Sequence, residues 1–74
     1  QYVYPNPAGE YINLKLSDES AKTVEILSST GQIVFSSKQI RGNETIYIGN
    51  LPSGIYYLKI KHKETVNVIR IVKL

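Results

Sequence analysis

The sequence predicts an all-β domain of seven short strands, folded as a sandwich or a small barrel, and three features carry this prediction. Short runs rich in Ile, Val, Tyr and Thr recur, and most of them alternate apolar and polar residues. Turn residues separate the runs at short intervals. The one stretch with a helix-like composition, residues 17–22, is too short and lacks apolar residues at i, i+3 and i+4. A helix-free chain with this pattern is typical of those two architectures.

The alternation defines the seven strands and their inner faces. The predicted strands span residues 2–4, 11–16, 23–27, 32–37, 44–48, 55–61 and 66–74. The side chains expected in the core are Ile12, Leu14, Leu16, Val24, Ile26, Ile33, Phe35, Ile46, Ile48, Tyr56, Leu58 and Ile60. The last run is apolar on both faces, so two registers stay open, with either Val66 and Val68 or Ile69 and Ile71 beside the core.

Glycine and proline mark the reversals between strands. Gly31 and Gly54 can adopt a positive φ without a Cβ penalty, and Pro52 has a fixed φ that favours a turn just before Gly54. The main turns are expected at residues 29–32, 41–44, 51–54 and 62–64.

Composition excludes several classes of function. The chain of 74 residues has no Cys and one His, which excludes disulfides, thiolate zinc sites, thiol nucleophiles and a His-based metal cluster. No run approaches the roughly 18 apolar residues of a spanning helix, so membrane insertion is not expected. The net charge is +3, and the basic residues are spread from Lys15 to Lys73 rather than massed together. This distribution favours a solvated surface over a binding patch.

Residues for catalysis are sparse, so we expect no enzyme, no cofactor and no metal. Asp18 is the only Asp, and it stands beside Glu19 in a polar turn, where carboxylates serve solvation more often than acid–base chemistry. His62 lies in the predicted final turn and would need an orienting carboxylate to act as a base. No nucleophile elbow, phosphate loop or metal-ligand spacing is present in the sequence.

One strand face interleaves an aromatic residue with cations. Tyr57, Lys59 and Lys61 share the outward face of the sixth predicted strand, a pattern that can stack bases and hold phosphates. The favoured interpretation is that Tyr57 covers the outer edge of the sheet while the lysines keep that edge soluble and unpaired, so nucleic acid is not an expected partner.

Short motifs occur in a defined order along the chain. They are YPNPA at residues 4–8, INL at 12–14, VEIL at 24–27, GQIV at 31–34, IYIGNLPSGIYYLKI at 46–60 and IVKL at 71–74. This order strongly resembles the type A C-terminal sorting domain of the type IX (Por) secretion system of Bacteroidetes, over residues 4–74. A Pro-Asn-Pro alone is a common turn, whereas the segment LPSGIYYLKI at residues 51–60, about 20 residues from the chain end, is far more specific.

The resemblance implies a single sorting domain, residues 1–74, excised from a longer secreted protein and folded as a seven-stranded antiparallel immunoglobulin-like β-sandwich. It implies a non-catalytic secretion signal without cofactors, which directs an upstream cargo domain in cis through the outer-membrane translocon. Proteins of this kind fold in the periplasm and then reach the cell surface or the medium. A sortase-like peptidase commonly removes the sorting domain, and the cargo is attached to an anionic lipopolysaccharide or released. Any cleavage site would lie near or before Gln1.

The resemblance also suggests which residues form the signal. The candidates for translocon recognition or for the motifs that support it are Pro5, Asn6, Pro7, Gly31, Leu51, Ser53, Gly54, Tyr56, Lys59, Lys73 and Leu74. Lys73 and its neighbours are the candidates for direct recognition, because the terminal region of the family is needed for export. The other candidates are expected to act mainly by maintaining the fold.

Two alternatives stay open at the level of sequence. A structural or adhesive β-sandwich module of a surface protein, binding glycan, nucleic acid or protein, would share the fold. An exposed edge strand would also allow weak self-association or pairing with a strand of the translocon.

Overall fold

A computed structural model describes residues 2–16 and 20–74, apart from the side chain of Tyr2. Its seven strands are β1 (Tyr2–Tyr4), β2 (Tyr11–Lys15), β3 (Lys22–Ser28), β4 (Ile33–Ile40), β5 (Glu44–Tyr47), β6 (Gly54–His62) and β7 (Thr65–Lys73). Every predicted strand is present, and no boundary moves by more than three residues. The carboxylates of Asp18 and Glu19 lie outside the described residues. Within the described ranges, the fold has no helix that is long and apolar enough to cross a membrane.

The strands form two antiparallel sheets that pack as a sandwich. One sheet has three strands in the order β1–β2–β5, and the other has four in the order β4–β3–β6–β7. In the larger sheet, β6 pairs with β3 through six residue pairs and with β7 through nine. The edges of this sheet are therefore β4 and β7, and they differ in regularity.

The inner faces of the two sheets supply the core. Its buried members are Val3, Ala8, Ile12, Leu14, Val24, Ile26, Ile40, Ile46, Ile48, Tyr56, Leu58, Ile60 and Ile71, and the partly buried Leu16, Leu51, Phe35 and Ile69 pack against them. The alternation correctly places ten of the twelve expected core residues fully or partly in this cluster. They lie on β2, β3, β5 and β6 or, for Leu16 and Ile48, one residue past β2 and β5, because these strands are regular. Phe35 on β4 also contacts the cluster.

The prediction for Ile33 is wrong, because β4 carries a β-bulge. Ile26 pairs with Phe35 and Leu27 pairs with Ile33, so Val34 is an extra residue on β4. An extra residue breaks the two-residue period, and Ile33 shares the outward side with Leu27 instead of the inward side with Phe35. The side chain of Ile33 is accordingly 57% exposed.

Pairing with β6 decides the register of β7. Tyr56 and Leu58 face the core, and their partners on β7 are Ile71 and Ile69. Ile71 is consequently buried and Ile69 partly buried, whereas Val66 and Val68 point to the outer face and are more than half exposed. The apolar pattern allowed either Val66 and Val68 or Ile69 and Ile71 beside the core, and only the pairing with β6 distinguishes these two registers.

Candidate functional site: the terminal clamp

Residues 5–8, here called the strap, lie along the outer edge of β7. The Nδ2 group of Asn6 donates a hydrogen bond to the carbonyl oxygen of Arg70 (2.9 Å). The backbone N–H of Val72 donates to Oδ1 of Asn6 (3.1 Å). The side-chain amide of Asn6 therefore presents a donor and an acceptor to β7, as the backbone of a neighbouring strand would.

The backbone of Ala8 continues this pairing. Its N–H donates to the carbonyl oxygen of Val72 (2.7 Å), and its carbonyl oxygen accepts the N–H of Leu74 (2.9 Å), in a parallel bridge opposite Lys73. The side chain of Ala8 is completely buried in the core. Four hydrogen bonds thus join the strap to residues 70–74, and we call the two segments together the terminal clamp.

The composition of the strap explains the use of a side chain in this pairing. Pro5 and Pro7 have no N–H, so the backbone at those positions cannot donate to an adjacent strand. The peptide bonds Tyr4–Pro5 and Asn6–Pro7 are both cis. Asn6, between the two prolines, supplies through its side chain the donor that they lack.

Lys73 and Leu74 differ sharply in exposure. The side chain of Lys73 is 9% exposed, and its ammonium group donates to the carbonyl oxygen of Leu74 (3.0 Å). Lys73 is also held on both sides, by Gly54 on β6 and by Ala8 on the strap. Leu74, in contrast, is 69% exposed. The apolar last side chain, rather than the lysine, presents most of its surface at this end.

The loop between β5 and β6 adjoins the clamp. The hydroxyl of Tyr56 donates to the carbonyl oxygen of Pro52 (2.6 Å), which fixes the loop to the start of β6. Gly54 has φ +151°, a conformation that side chains rarely adopt, and it pairs directly with Lys73. Leu51 packs against the core, and Ser53 is exposed. The loop therefore sets the position of Gly54, the residue of β6 that pairs with Lys73 at the C-terminal end of β7.

The turn between β3 and β4 lies at the same end of the sandwich. Gly31 has φ +91° and donates its N–H to Ser28 (2.9 Å), and Ser28 is paired with Tyr56 on β6. The strap, Gly31, the 51–54 loop and residues 70–74 are scattered in the sequence. The register of β3, β6 and β7 brings all of them to one end of the fold.

Lys59 is the one candidate residue that lies elsewhere. It sits in the middle of the outer face of the larger sheet, between Glu25 on β3 and Val68 on β7. Tyr57 shares that face and is 38% exposed. Lys61 is bonded to Glu25 at 3.2 Å, so one of the two lysines already has an ionic partner.

Comparison with protein families identifies the domain. The family described as a secretion system C-terminal sorting domain matches residues 2–74. The chain belongs to this family. It is a C-terminal secretion signal of the type IX system, which confirms the resemblance found in the sequence and implies export to the cell surface or secretion. No curated protein matches the chain.

Among solved structures, the sorting domain is similar to PorZ of Porphyromonas gingivalis, described as an essential bacterial surface component of the type-IX secretion system. The TM-score is 0.78 at 18% sequence identity, and the match covers 99% of this chain but 11% of PorZ. At this identity the likeness concerns the fold, and it agrees with the predicted seven-stranded immunoglobulin-like sandwich.

Three residues of the sorting domain whose atoms make the hydrogen bonds of the clamp were not singled out by number in the sequence. Ala8 belongs to the quoted YPNPA motif, but only its burial and its bridge to Lys73 show why a small residue stands there. Arg70 and Val72 contribute backbone atoms, and no side-chain pattern could reveal that contribution. Motif analysis therefore found the two segments of the clamp but not the hydrogen bonds that join them.

Proposed function

We propose that the export machinery recognises this sorting domain at the end of the sandwich that carries the terminal clamp. The observation that supports the proposal is the pairing of Asn6 with Arg70 and Val72, 64 and 66 residues further along the chain. This pairing joins the first and the last motifs into one continuous surface. A receptor that contacts this surface would read both motifs only in a folded domain.

Within this surface we assign two kinds of role. Pro5, Pro7, Ser53 and Leu74 are exposed and would contact the translocon. The buried or bonded residues would hold that surface in shape; these are Asn6, Gly31, Leu51, Gly54, Tyr56 and Lys73. Lys59 has no place in the clamp and would serve the solubility of the outer face.

We also propose the wider setting of this signal. Residues 1–74 would be the last domain of a longer secreted protein, whose upstream cargo passes the periplasm and is carried through the outer-membrane translocon. A sortase-like peptidase would then cleave near or before Gln1. The domain itself would be non-catalytic, in keeping with its membership of a family of secretion signals.

An export assay with matched variants tests the recognition surface. Residues 1–74 are fused behind a periplasm-directed fluorescent reporter in a bacterium with a type IX system, and the signal at the surface and in the medium is compared with and without an intact translocon. Translocon-dependent export is expected for the unchanged domain. Retention in the periplasm, while a known sorting domain is exported, would reject the secretion role of this chain.

Two substitutions of similarly exposed apolar side chains then locate the surface. Leu74→Ser, in the clamp, is expected to reduce export at least tenfold, whereas Ile33→Ser, on β4, should leave it within twofold of the unchanged domain. Both variants need the same thermal stability as the parent for this comparison. Equal export of the two variants would place recognition away from the clamp.

A further inference from the structure

The other half of β7 has an open edge, which the strap does not reach. The C=O of Arg70, both backbone groups of Val72 and the N–H of Leu74 point outward and are bonded to the strap. Because β7 pairs with β6 without a bulge, alternate residues point the same way, so the N–H and C=O groups of Val66 and Val68 also point outward. In the described part of the chain, no strand pairs with them on that side. We call residues 65–69 the open edge.

The side chains of the open edge suit the addition of a strand. Val66 is 52% exposed and Val68 is 56% exposed, and both lie on the outer face of the sheet. β-Branched apolar residues pack well against a cross-strand neighbour. The open edge contains no proline and no bulge, two devices that commonly protect edge strands from pairing. Val66 and Val68 therefore offer an apolar surface and outward backbone groups that no described strand pairs with.

The charges around the open edge are mainly positive. Lys61 lies opposite Val66 and Lys59 lies opposite Val68, while Arg70 follows along β7 and Lys63 stands in the adjoining turn. Among the described residues, the acidic groups nearby are Glu64 in the turn and Glu25, which is already bonded to Lys61. Two copies of the chain paired edge to edge would bring these cations together. An acidic strand would meet complementary charge.

We propose that the open edge binds an extended acidic segment of a partner protein, which adds to the sheet as an antiparallel strand. Apolar side chains of that segment pack on Val66 and Val68, and a carboxylate at its end approaches the guanidinium group of Arg70. The strap ends the open edge at Arg70 and limits the added strand to about five residues, or about 17 Å. Apart from the side chain of Arg70, this site lies outside the terminal clamp, so strand addition does not depend on the proposed recognition surface.

The test uses a defined peptide as the probe for the partner. The peptide acetyl-Glu-Thr-Val-Thr-Val-Asp-amide is titrated into isotope-labelled residues 1–74, and amide chemical shifts and hydrogen exchange are followed by NMR. Shifts and slower exchange are expected at Val66 and Val68. The same peptide with Lys in place of both acidic residues should bind at least tenfold more weakly. Equal binding of the two peptides, or shifts centred elsewhere, would overturn the proposal.

Substitutions at one position separate the backbone from the side chain. Val68→Pro removes an N–H that faces the open side and should weaken binding at least tenfold, whereas Val68→Thr keeps the N–H and the branched shape and should stay within threefold. Arg70→Glu should abolish the preference for the acidic peptide. Unchanged binding by Val68→Pro would contradict strand addition. If that variant does not fold, N-methylation of the peptide at its two valines tests the same hydrogen bonds, and undiminished affinity counts against the proposal.

Sedimentation of the chain without peptide tests whether a second copy of the same chain occupies the open edge. A monomer at all concentrations is expected without peptide, because the cations oppose self-pairing. A dimer that is lost in Val68→Pro and retained in Val68→Thr would assign the open edge to a second copy instead, and would overturn the acidic partner.

Discussion

The two edges of the four-stranded sheet are protected from pairing in different ways. On β4, two irregularities interrupt the ladder to β3, and Gln39 has a left-handed φ of 66°. On β7, all nine residues pair with β6 in an unbroken register. Along its C-terminal half, the strap then supplies the missing hydrogen-bond partners. A bulged edge is a poor template for any strand, whereas a strapped edge stays regular under its cover.

The two kinds of protection differ in how much of an edge they close to a partner strand. A bulge is built into the backbone and disfavours pairing with every partner. A strap covers only the residues that it reaches, so one strand can have a closed half and an open half. In this sorting domain the closed half carries the terminal motif and the open half carries exposed valines.

The largest effect should come from the buried side chain of β7. Ile71 is 1% exposed, and Ile71→Ala should lower the free energy of unfolding by about 2–5 kcal/mol, through lost burial and the cavity that remains. Ile33→Ala on β4 should change it by less than about 0.5 kcal/mol, because its side chain is already mainly exposed. Urea denaturation measures both. If Ile71→Ala does not fold, Ile71→Val should still cost about 0.5–1.5 kcal/mol. Similar losses of unfolding free energy in Ile71→Ala and Ile33→Ala would contradict the proposed difference between β7 and β4.

The next effect concerns the strap itself. Asn6→Ala removes two hydrogen bonds to β7 and should cost about 1 kcal/mol, while exchange of the Val72 amide becomes faster. The exposed Asn43 serves as the matched control, and Asn43→Ala should leave exchange at Val72 unchanged. Hydrogen exchange followed by NMR gives both results. Unaltered protection of Val72 in Asn6→Ala would mean that the strap does not close this half of the edge.

A smaller effect is expected at the bulged edge. Gln39→Gly relieves the left-handed backbone of a residue with a Cβ and should raise the free energy of unfolding by about 0.5 kcal/mol. Lys38, the neighbouring residue, has no left-handed backbone to relieve, so Lys38→Gly should lower the free energy of unfolding by about 0.5–1 kcal/mol. Chemical denaturation of the two variants compares them directly. A loss of stability in Gln39→Gly would show that the side chain, rather than the backbone, maintains this irregularity.

The smallest effect should come from charge on the outer face. Lys61→Met keeps the apolar stem but removes the ion pair with Glu25, and it should cost no more than about 0.5 kcal/mol because the lysine is exposed. Salt should reduce this difference further. Thermal unfolding at low and high ionic strength provides the measurement. A larger cost would mean that charge, and not only backbone cover, governs the stability of this sheet.

Strand alternation was sufficient to predict most of the fold. On β2, β3, β5 and β6 the period of two residues is unbroken, so apolar residues such as Leu14 and Leu58 could be assigned to the core directly. The period fails on β4, where Val34 is inserted, and no residue of that run marks the insertion. It also failed to decide β7, because both faces of that run are apolar and only pairing with β6 chooses between them.

The sequence by itself determined an all-β fold, a sandwich or a small barrel, because alternation and turn chemistry are local properties. The order of its motifs, through their resemblance to a known family, added the sandwich and the sorting role. The tertiary structure alone decided that Asn6 and Ala8 close one half of β7 and leave Val66 and Val68 open. Hydrogen bonds between residues more than 60 positions apart depend on how two sheets pack. The same packing buries Lys73, which the sequence presents as an ordinary charged residue near an end.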